Sequence, residues 1–266
     1  MLTDDQRARF ARNGFLVLRD PIDEELIREG RAAVEADDSM GPGNQNEPTT
    51  EPFRTINECL FEYADALIGG EKLADPGTPE FGTDDGEETR IGLHYPEDLP
   101  SIIDPHAQRA ARDELGVHVD NQTNEHGGLY GLGAAIYFDD VRPRDAGFTV
   151  WPGSHWMAAD HCELTTMTDR DPPLKNVEIS DGSEFADLSE LFELFEPFEV
   201  AGEAGTVTLW HGSLIHSAGM HLAPGSLRMA GFSRFYFEPG AVDHDEAFAH
   251  PFEHWDGVSA PEGIRE

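Results

Sequence analysis

Two separated fragments of this chain carry side chains of metal-binding type. The first is Val117-His118-Val119-Asp120 and the second is Leu214-Ile215-His216, with Arg228 further on. A His-x-Asp pair with a distant His is the ligand set of a two-histidine, one-carboxylate Fe(II) site. Such a set covers one face of the ion and leaves the other for a cosubstrate and oxygen. Side chains of a strand alternate between faces, so a strand through 117–120 turns His118 and Asp120 one way and Val119 the other. His216 lies far downstream on another expected strand. A barrel that brings its first and last strands together closes the set.

The spacing alone is weak. With 12 histidines in an Asp-rich chain, about one His-x-Asp match is expected from composition. A second one exists, His254-x-Asp256. No histidine follows it and its surroundings are turn-like, so it reads as a surface pair.

The elements that would position these residues follow from capping, periodicity and turn chemistry. Thr3-Asp4-Asp5-Gln6 reads as a capping box, with helix to about Arg12. Asn13-Gly14 breaks it, and Phe15–Leu18 reads as a strand. Pro21 to about Ala36 reads as a second helix with Leu26, Ile27, Ala32 and Val34 on its apolar side. Residues 38–52 are a polar, Gly/Pro-rich loop, another helix is expected near 57–69, and 74–88 read as a surface excursion. From about 115 strands dominate: Val117–Asp120, Leu129–Phe138, Phe148–Trp151, Val177–Ile179, Phe198–Ala201, Thr206–Trp210, Leu214–Ser217 and Leu227–Phe237. Pro152-Gly153-Ser154-His155 is a turn. Short strands with helices gathered at the N-terminus indicate a mainly β sandwich or barrel. We read one domain: helices, first strand and surface loops over 1–114, the core with the iron site over 115–237, and a C-terminal tail over 238–266.

The chain has 266 residues, 53 acidic against 18 basic, and a formal net charge of −35. Only two of the basic residues are lysines, Lys72 and Lys175. A carboxylate-rich, lysine-poor surface resembles that of proteins from salt-loving organisms such as halophilic archaea. In their molar salt the Debye length shrinks to about 3 Å and self-repulsion is screened. Nucleic acid is excluded as a partner, because phosphate binding needs a basic face. Cys59 and Cys162 form neither a disulfide framework nor a zinc pattern and read as small buried hydrophobes. The opening Met-Leu-Thr-Asp-Asp has neither a basic nor an apolar signal region. No apolar run approaches a membrane span, so the cytoplasm is the expected location.

Around the metal fragments stand further motifs. Leu2-Thr3-Asp4-Asp5-Gln6 through Asn13-Gly14-Phe15-Leu16-Val17-Leu18-Arg19, Phe138-Asp139-Asp140, Ala146 through His155, and Trp210 through Gly219 followed by Arg228 occur in that order. Together they resemble the phytanoyl-CoA dioxygenase family of Fe(II)/2-oxoglutarate oxygenases, from residue 2 to about 237. The resemblance implies a double-stranded β-helix, a jelly-roll, cupin-like barrel. It implies that His118, Asp120 and His216 are the catalytic metal ligands. It implies that Arg228 binds the distal carboxylate of the 2-oxoglutarate cosubstrate, with O2 taking the remaining iron position. Arg228 suits that role, since a guanidinium grips a carboxylate through two charge-assisted bonds. Asp120 stands where halogenating relatives carry a small residue, which argues for hydroxylation. Three departures touch the secondary cosubstrate contacts. Ala218 replaces a frequent Ser, His221 replaces a frequent Asn, and the step from His216 to Arg228 is one residue longer than common.

The resulting expectation is a non-haem Fe(II)/2-oxoglutarate-dependent dioxygenase. It would hydroxylate a small-molecule or lipid-derived substrate and release succinate and CO2. The rivals are a non-catalytic jelly-roll metal-binding or sensor protein and a cupin-type enzyme that does without 2-oxoglutarate; Arg228 speaks against the latter. Other candidates have plainer readings. His211 reads as structural or as a partner of the ligands, His155 as a turn or rim residue, and His126 as a loop or pocket residue. Arg234 shares a strand face with Arg228 and either binds substrate or pairs with an acid. Trp151 and Trp210 read as core and Tyr137 as a pocket wall.

Overall fold

The computed structural model describes residues 1–36, 45–46, 51–74, 90–94, 118–120, 123–124, 127–158, 162–167, 174–179, 195–219 and 228–261. The chain opens with α1 (Asp4–Asn13). Thr3 caps it: its hydroxyl accepts from the Gln6 N–H at 3.2 Å, and the Gln6 side chain accepts from the Thr3 N–H at 2.8 Å. Gly14 ends the helix at φ 77, and its N–H donates to the Phe10 carbonyl. Only a residue without Cβ fits there, because a Cβ would collide with the His155 ring and Leu214.

After β1 (Phe15–Leu18) come α2 (Glu24–Ala36), β2 (Gln45–Asn46), α3 (Glu51–Ile68) and β3 (Arg90–His94). The strands β4 (Tyr130–Tyr137), β5 (Phe148–Val150), β6 (Cys162–Met167), β7 (Leu174–Ile179), β8 (Phe198–Glu199), β9 (Val207–His211), β10 (His216–Ala218) and β11 (Arg228–Tyr236) follow, then α4 (His244–Ala249). A six-stranded sheet has the order β1-β9-β4-β11-β3-β2; β10-β5-β8 form a second sheet and β6-β7 a hairpin. The large sheet thus takes β1, β2 and β3 from the first 114 residues. The described chain is rich in sheet with few helices.

Alternation along the large sheet sorts its side chains into two cores. Leu16, Leu18, Leu132, Ala134, Ile136, Val207, Leu209, Met229 and Phe235 pack with Ile27, Phe53, Ile56 and Leu60 of the helices. The opposite face offers Phe15, Val17, Ala135, Tyr137, Trp210, Ala230 and Phe232, which pack with Phe148, Val150 and Val200 of the second sheet. The second core is the one that meets the metal fragments.

Several boundaries differ from the sequence reading. Helix α2 starts at Glu24 rather than Pro21, because Asp20 adopts φ 51 and Asp23 turns its carboxylate onto the Glu25 N–H. Its buried stripe is Ile27, Gly30 and Val34, with Ala33 packed beside them and Ala32 exposed. Helix α3 begins at Glu51, since Pro52 in a first turn gives up no hydrogen bond. β2 falls in an expected loop, β3 and β6 were not expected as strands, and α4 falls in the expected tail. Of the strand expected over Val117–Asp120, Val117 lies outside the described residues, and His118–Asp120 form no strand but a single bridge from His118 to His216. Among the described residues no helix is long and apolar enough to cross a membrane.

Candidate metal centre

The bridge suffices to bring the two fragments together. The His118 N–H donates to the His216 carbonyl at 3.0 Å, the His216 N–H returns to His118 at 2.9 Å, and the Asp120 N–H donates to Gly212 at 3.2 Å. His118, Asp120 and His216 then turn one ligand atom each to a common point, all within 4.8 Å of one another. His216 Nε2 lies 3.3 Å from Asp120 Oδ2, and His118 Nε2 lies 3.5 Å from Asp120 Oδ1. His216 and Asp120 are buried, whereas the His118 side chain is 51% exposed. The cluster is therefore open on the His118 side.

Local bonds orient these donors. His216 Nδ1–H donates to the Leu214 carbonyl at 2.9 Å, which leaves the Nε2 lone pair aimed at the cluster. The loop carrying His216 is fixed by the Pro-Gly-Ser-His turn. The Ile215 N–H donates to Ser154 Oγ at 3.0 Å, and the Trp151 N–H donates to the Ile215 carbonyl at 3.0 Å. The turn is tied in its own right to the end of α1: Gly153 N–H donates to Asn13, and the His155 and Trp156 rings donate to the Ala11 carbonyl.

Electrostatics keep the donors in metal-binding form. Burial would raise the Asp120 carboxyl, but the neighbouring His216, the hydrogen bonds from both histidines and Arg234 outweigh it and hold it well below the usual range. Burial, then His118, lower the His216 imidazolium below its ordinary value. A cation that takes up this site replaces the histidine protons beside the ionised Asp120, and the lowered His216 value makes that proton easier to release.

Arg228 begins β11 on the inter-sheet face and is 2% exposed. It donates to the Ala146 carbonyl at 2.9 Å and lies 5.7 Å from the centre of the Phe232 ring. Ala146 adopts φ 59, a conformation costly for a side chain, and so offers its carbonyl to Arg228. Arg228 Nε is buried without a hydrogen-bond partner. Burial pulls the guanidinium down to about 10, which leaves it charged at neutral pH. Aromatic rings connect it to the cluster: Phe148 is 6.3 Å from Phe232 and 5.2 Å from the His216 ring.

The other singled-out residues sort clearly. His211 sits at an odd position of β9 and faces the helices, stacked at 5.1 Å on Trp255, with Nδ1 accepting from the Ser213 N–H. His155 is no rim residue: it is fully buried, and burial takes its imidazolium down to about 3. Tyr137 is structural, donating to Val200 O and accepting from Phe148 N, both at 2.8 Å. Trp151 and Trp210 are buried core. His254 and Asp256 face away from each other, His254 toward Glu246 at 3.8 Å and Asp256 toward Lys72 at 2.6 Å. Cys59 is partly buried against the helical core; the Cys162 side chain, His126 and His221 lie outside the described residues. Arg234 was left open and reaches the cluster, with Nη2 at 3.8 Å from Asp120 Oδ1. Ser154 and Tyr130 were not singled out; the position of Ser154 inside the turn motif was the available signal.

The phytanoyl-CoA dioxygenase (PhyH) family model matches residues 10–230. No curated protein matches the sequence. Among solved structures, the chain is similar to EctD from S. alaskensis with 2-oxoglutarate and 5-hydroxyectoine, at TM-score 0.55 and 15% identity, covering 97% of this chain and 87% of that one. It is similar to the non-heme alpha ketoglutarate dependent carbocyclase SnoK from nogalamycin biosynthesis, at 0.52 and 16%, covering 90% and 87%. It is also similar to HygX from Streptomyces hygroscopicus with nickel and 2-oxoglutarate bound, at 0.51 and 16%, covering 90% and 88%. At these identities the likeness is one of fold.

Proposed function

This chain belongs to the phytanoyl-CoA dioxygenase family, and from that premise we propose that it hydroxylates a small-molecule or lipid-derived substrate in an Fe(II)/2-oxoglutarate-dependent reaction. It is an oxidoreductase of that class. In this reading residues 1–266 form one domain whose two facing sheets are a double-stranded β-helix, or jelly roll. His118, Asp120 and His216 hold the iron, and Arg228 holds the far carboxylate of 2-oxoglutarate. When bound, the iron and cosubstrate supply oxygen activation, with succinate and CO2 as coproducts.

The observation that carries this reading is a complementary pair of side-chain groups between the two sheets. One is the convergence of two imidazoles and a carboxylate, the donor set that suits Fe(II) with open positions. The other is the buried Arg228, with one backbone contact and an Nε without partner. A buried cation of this kind is costly unless an anion joins it, and a carboxylate satisfies a guanidinium through two parallel bonds. The aromatic ring of Phe148 lies between the two, 5.2 Å from the His216 ring and 6.3 Å from that of Phe232.

The neighbours support a small-molecule substrate: the EctD structure holds 5-hydroxyectoine, and a HygX structure holds hygromycin B. The acidic surface suits a protein working in the cytoplasm of a halophilic cell. The test is succinate release from 2-oxoglutarate under air, in molar KCl with Fe(II), across a metabolite panel. Turnover that one class of compound stimulates, and that His216→Ala abolishes, supports the reading. Folded, iron-binding protein that never releases succinate is instead the non-catalytic jelly-roll protein.

A further inference from the structure

We propose, resting on the function above, that Arg234 and Tyr130 form a second polar subsite beside the metal centre, which holds a carboxylate of the primary substrate. Both residues lie on the inter-sheet face. Arg234 is six positions after Arg228 on β11 and so points the same way, about 20 Å further along the strand. Arg228 is the fully buried one, and Arg234 is 23% exposed on its side chain.

Tyr130 joins Arg234 through the sheet register. Gly133 is the direct cross-strand partner of Arg234, and Tyr130 is that of Tyr236. Directly opposed residues share a face. A Cβ on Gly133 would meet Tyr130 Oη and Trp210 Cζ2, each at 2.1 Å. The hydroxyl thus rests over the backbone directly opposite the Arg234 stem. The register shift between Phe235 and Tyr236 makes this possible. Without it, strict alternation would send Tyr130 to the helical face with Leu132 and Ala134.

Tyr130 is 1% exposed, and its Oη has no hydrogen-bond partner. A buried hydroxyl left unpaired forfeits its hydration with nothing in return, so the site is shaped for an incoming polar atom. Burial, then the charge of Asp120, hold the phenol well above its ordinary range while Arg234 opposes them. It is therefore a neutral donor that feels both neighbours. The Arg234 guanidinium also lies 3.8 Å from Asp120 Oδ1. The Arg234 guanidinium offers donors only, and the neutral Tyr130 phenol offers one more. The matching group is a planar, acceptor-rich carboxylate.

The test titrates matched pairs of acids and primary amides into nickel-loaded protein holding 2-oxoglutarate, by calorimetry. The pairs are hexanoate and hexanamide, phenylacetate and phenylacetamide, and N-acetylproline and its amide. We expect the wild type to bind at least one carboxylate about tenfold more tightly than its amide, a difference that Arg234→Gln removes, Arg234→Lys partly restores and Tyr130→Phe lowers several-fold. Equal binding within every pair, no binding by any carboxylate, or undiminished preference in Arg234→Gln overturns the proposal. So does loss of nickel from Arg234→Gln, which would make Arg234 a counter-ion of Asp120 only. Failure of the wild type to bind nickel and 2-oxoglutarate at all would count against the function itself.

Discussion

His216 is oriented by its own loop: the Leu214 carbonyl takes the Nδ1 proton and Ser154 holds the Ile215 N–H. Ser154→Ala should therefore lower metal affinity about tenfold without removing a ligand, as losses of orienting partners do; a competition titration with a metal-binding dye measures this. Arg228→Ala should weaken 2-oxoglutarate binding by about 2–3 kcal/mol, the worth of a charge-assisted pair, while leaving metal affinity nearly intact. Equal loss of both would indicate misfolding. His155 and His211 give the pH dependence. Burial lowers both imidazoliums, His155 to about 3 and His211 well below its ordinary value. A depressed folded pKa means that the unfolded chain takes up the proton first. Stability is then full above about 6.5 and falls as the pH drops below it, by about 1.4 kcal/mol per pH unit for His155 down to about 3, with His211 adding in the same direction. Urea unfolding at pH 7 and pH 5 in molar KCl should show the drop, and His155→Phe should lessen it. The grouping of His118, Asp120 and His216 was legible in the sequence through motif order, although the strand alternation expected at His118 and Asp120 is replaced by a single bridge to His216. The burial of His155 was not, because it depends on the end of α1 covering the turn, and no local spacing encodes that contact.

At the scale of elements, the site depends on parity. Odd positions of β9 face the helices, which turns His211 away from the cluster, whereas His216, beyond the turn, opens β10 of the second sheet and joins it. The same rule misleads at Tyr130. A register shift in the β4–β11 pairing moves it to the inter-sheet face, and such a bulge has no signature in Tyr130-Gly131-Leu132 beyond the glycine. β3 was hidden for a related reason: Arg90-Ile91-Gly92-Leu93-His94 is short, interrupted by glycine and embedded in polar chain, and pairing with β11 and β2 makes it a strand. Gly133 supplies the test at this scale. Gly133→Ala forces a Cβ into Tyr130 and Trp210, and overpacking of this kind costs about 1–3 kcal/mol. The predicted outcome is a lower denaturation midpoint together with weakened metal binding, because Trp210 lies 5.4 Å from the His216 ring. Unchanged stability would mean that the strand pairing differs from the one described.

The whole molecule carries a formal charge of −35. Exposed pairs such as Arg9–Asp5 and Arg31–Glu35 offset little of it, since surface pairs contribute about 0–1 kcal/mol each. Self-repulsion should then dominate at low salt. Raising KCl from about 0.1 M to 1 M shortens the Debye length from about 10 Å to 3 Å, so the denaturation midpoint should rise steeply over that range. A flat response would remove the halophilic reading. The charge was fully legible from composition. The arrangement of two cores about one sheet was legible only in outline, because assigning a face to each strand needs the register.

The most direct measurement is an anaerobic titration of Fe(II) and 2-oxoglutarate into the purified protein in molar KCl, followed by visible absorption. The account predicts a weak metal-to-ligand band that needs both components, disappears in His216→Ala, and in Arg228→Ala appears only at much higher 2-oxoglutarate. Absence of the band in folded wild-type protein, or a band unchanged in His216→Ala, would contradict it.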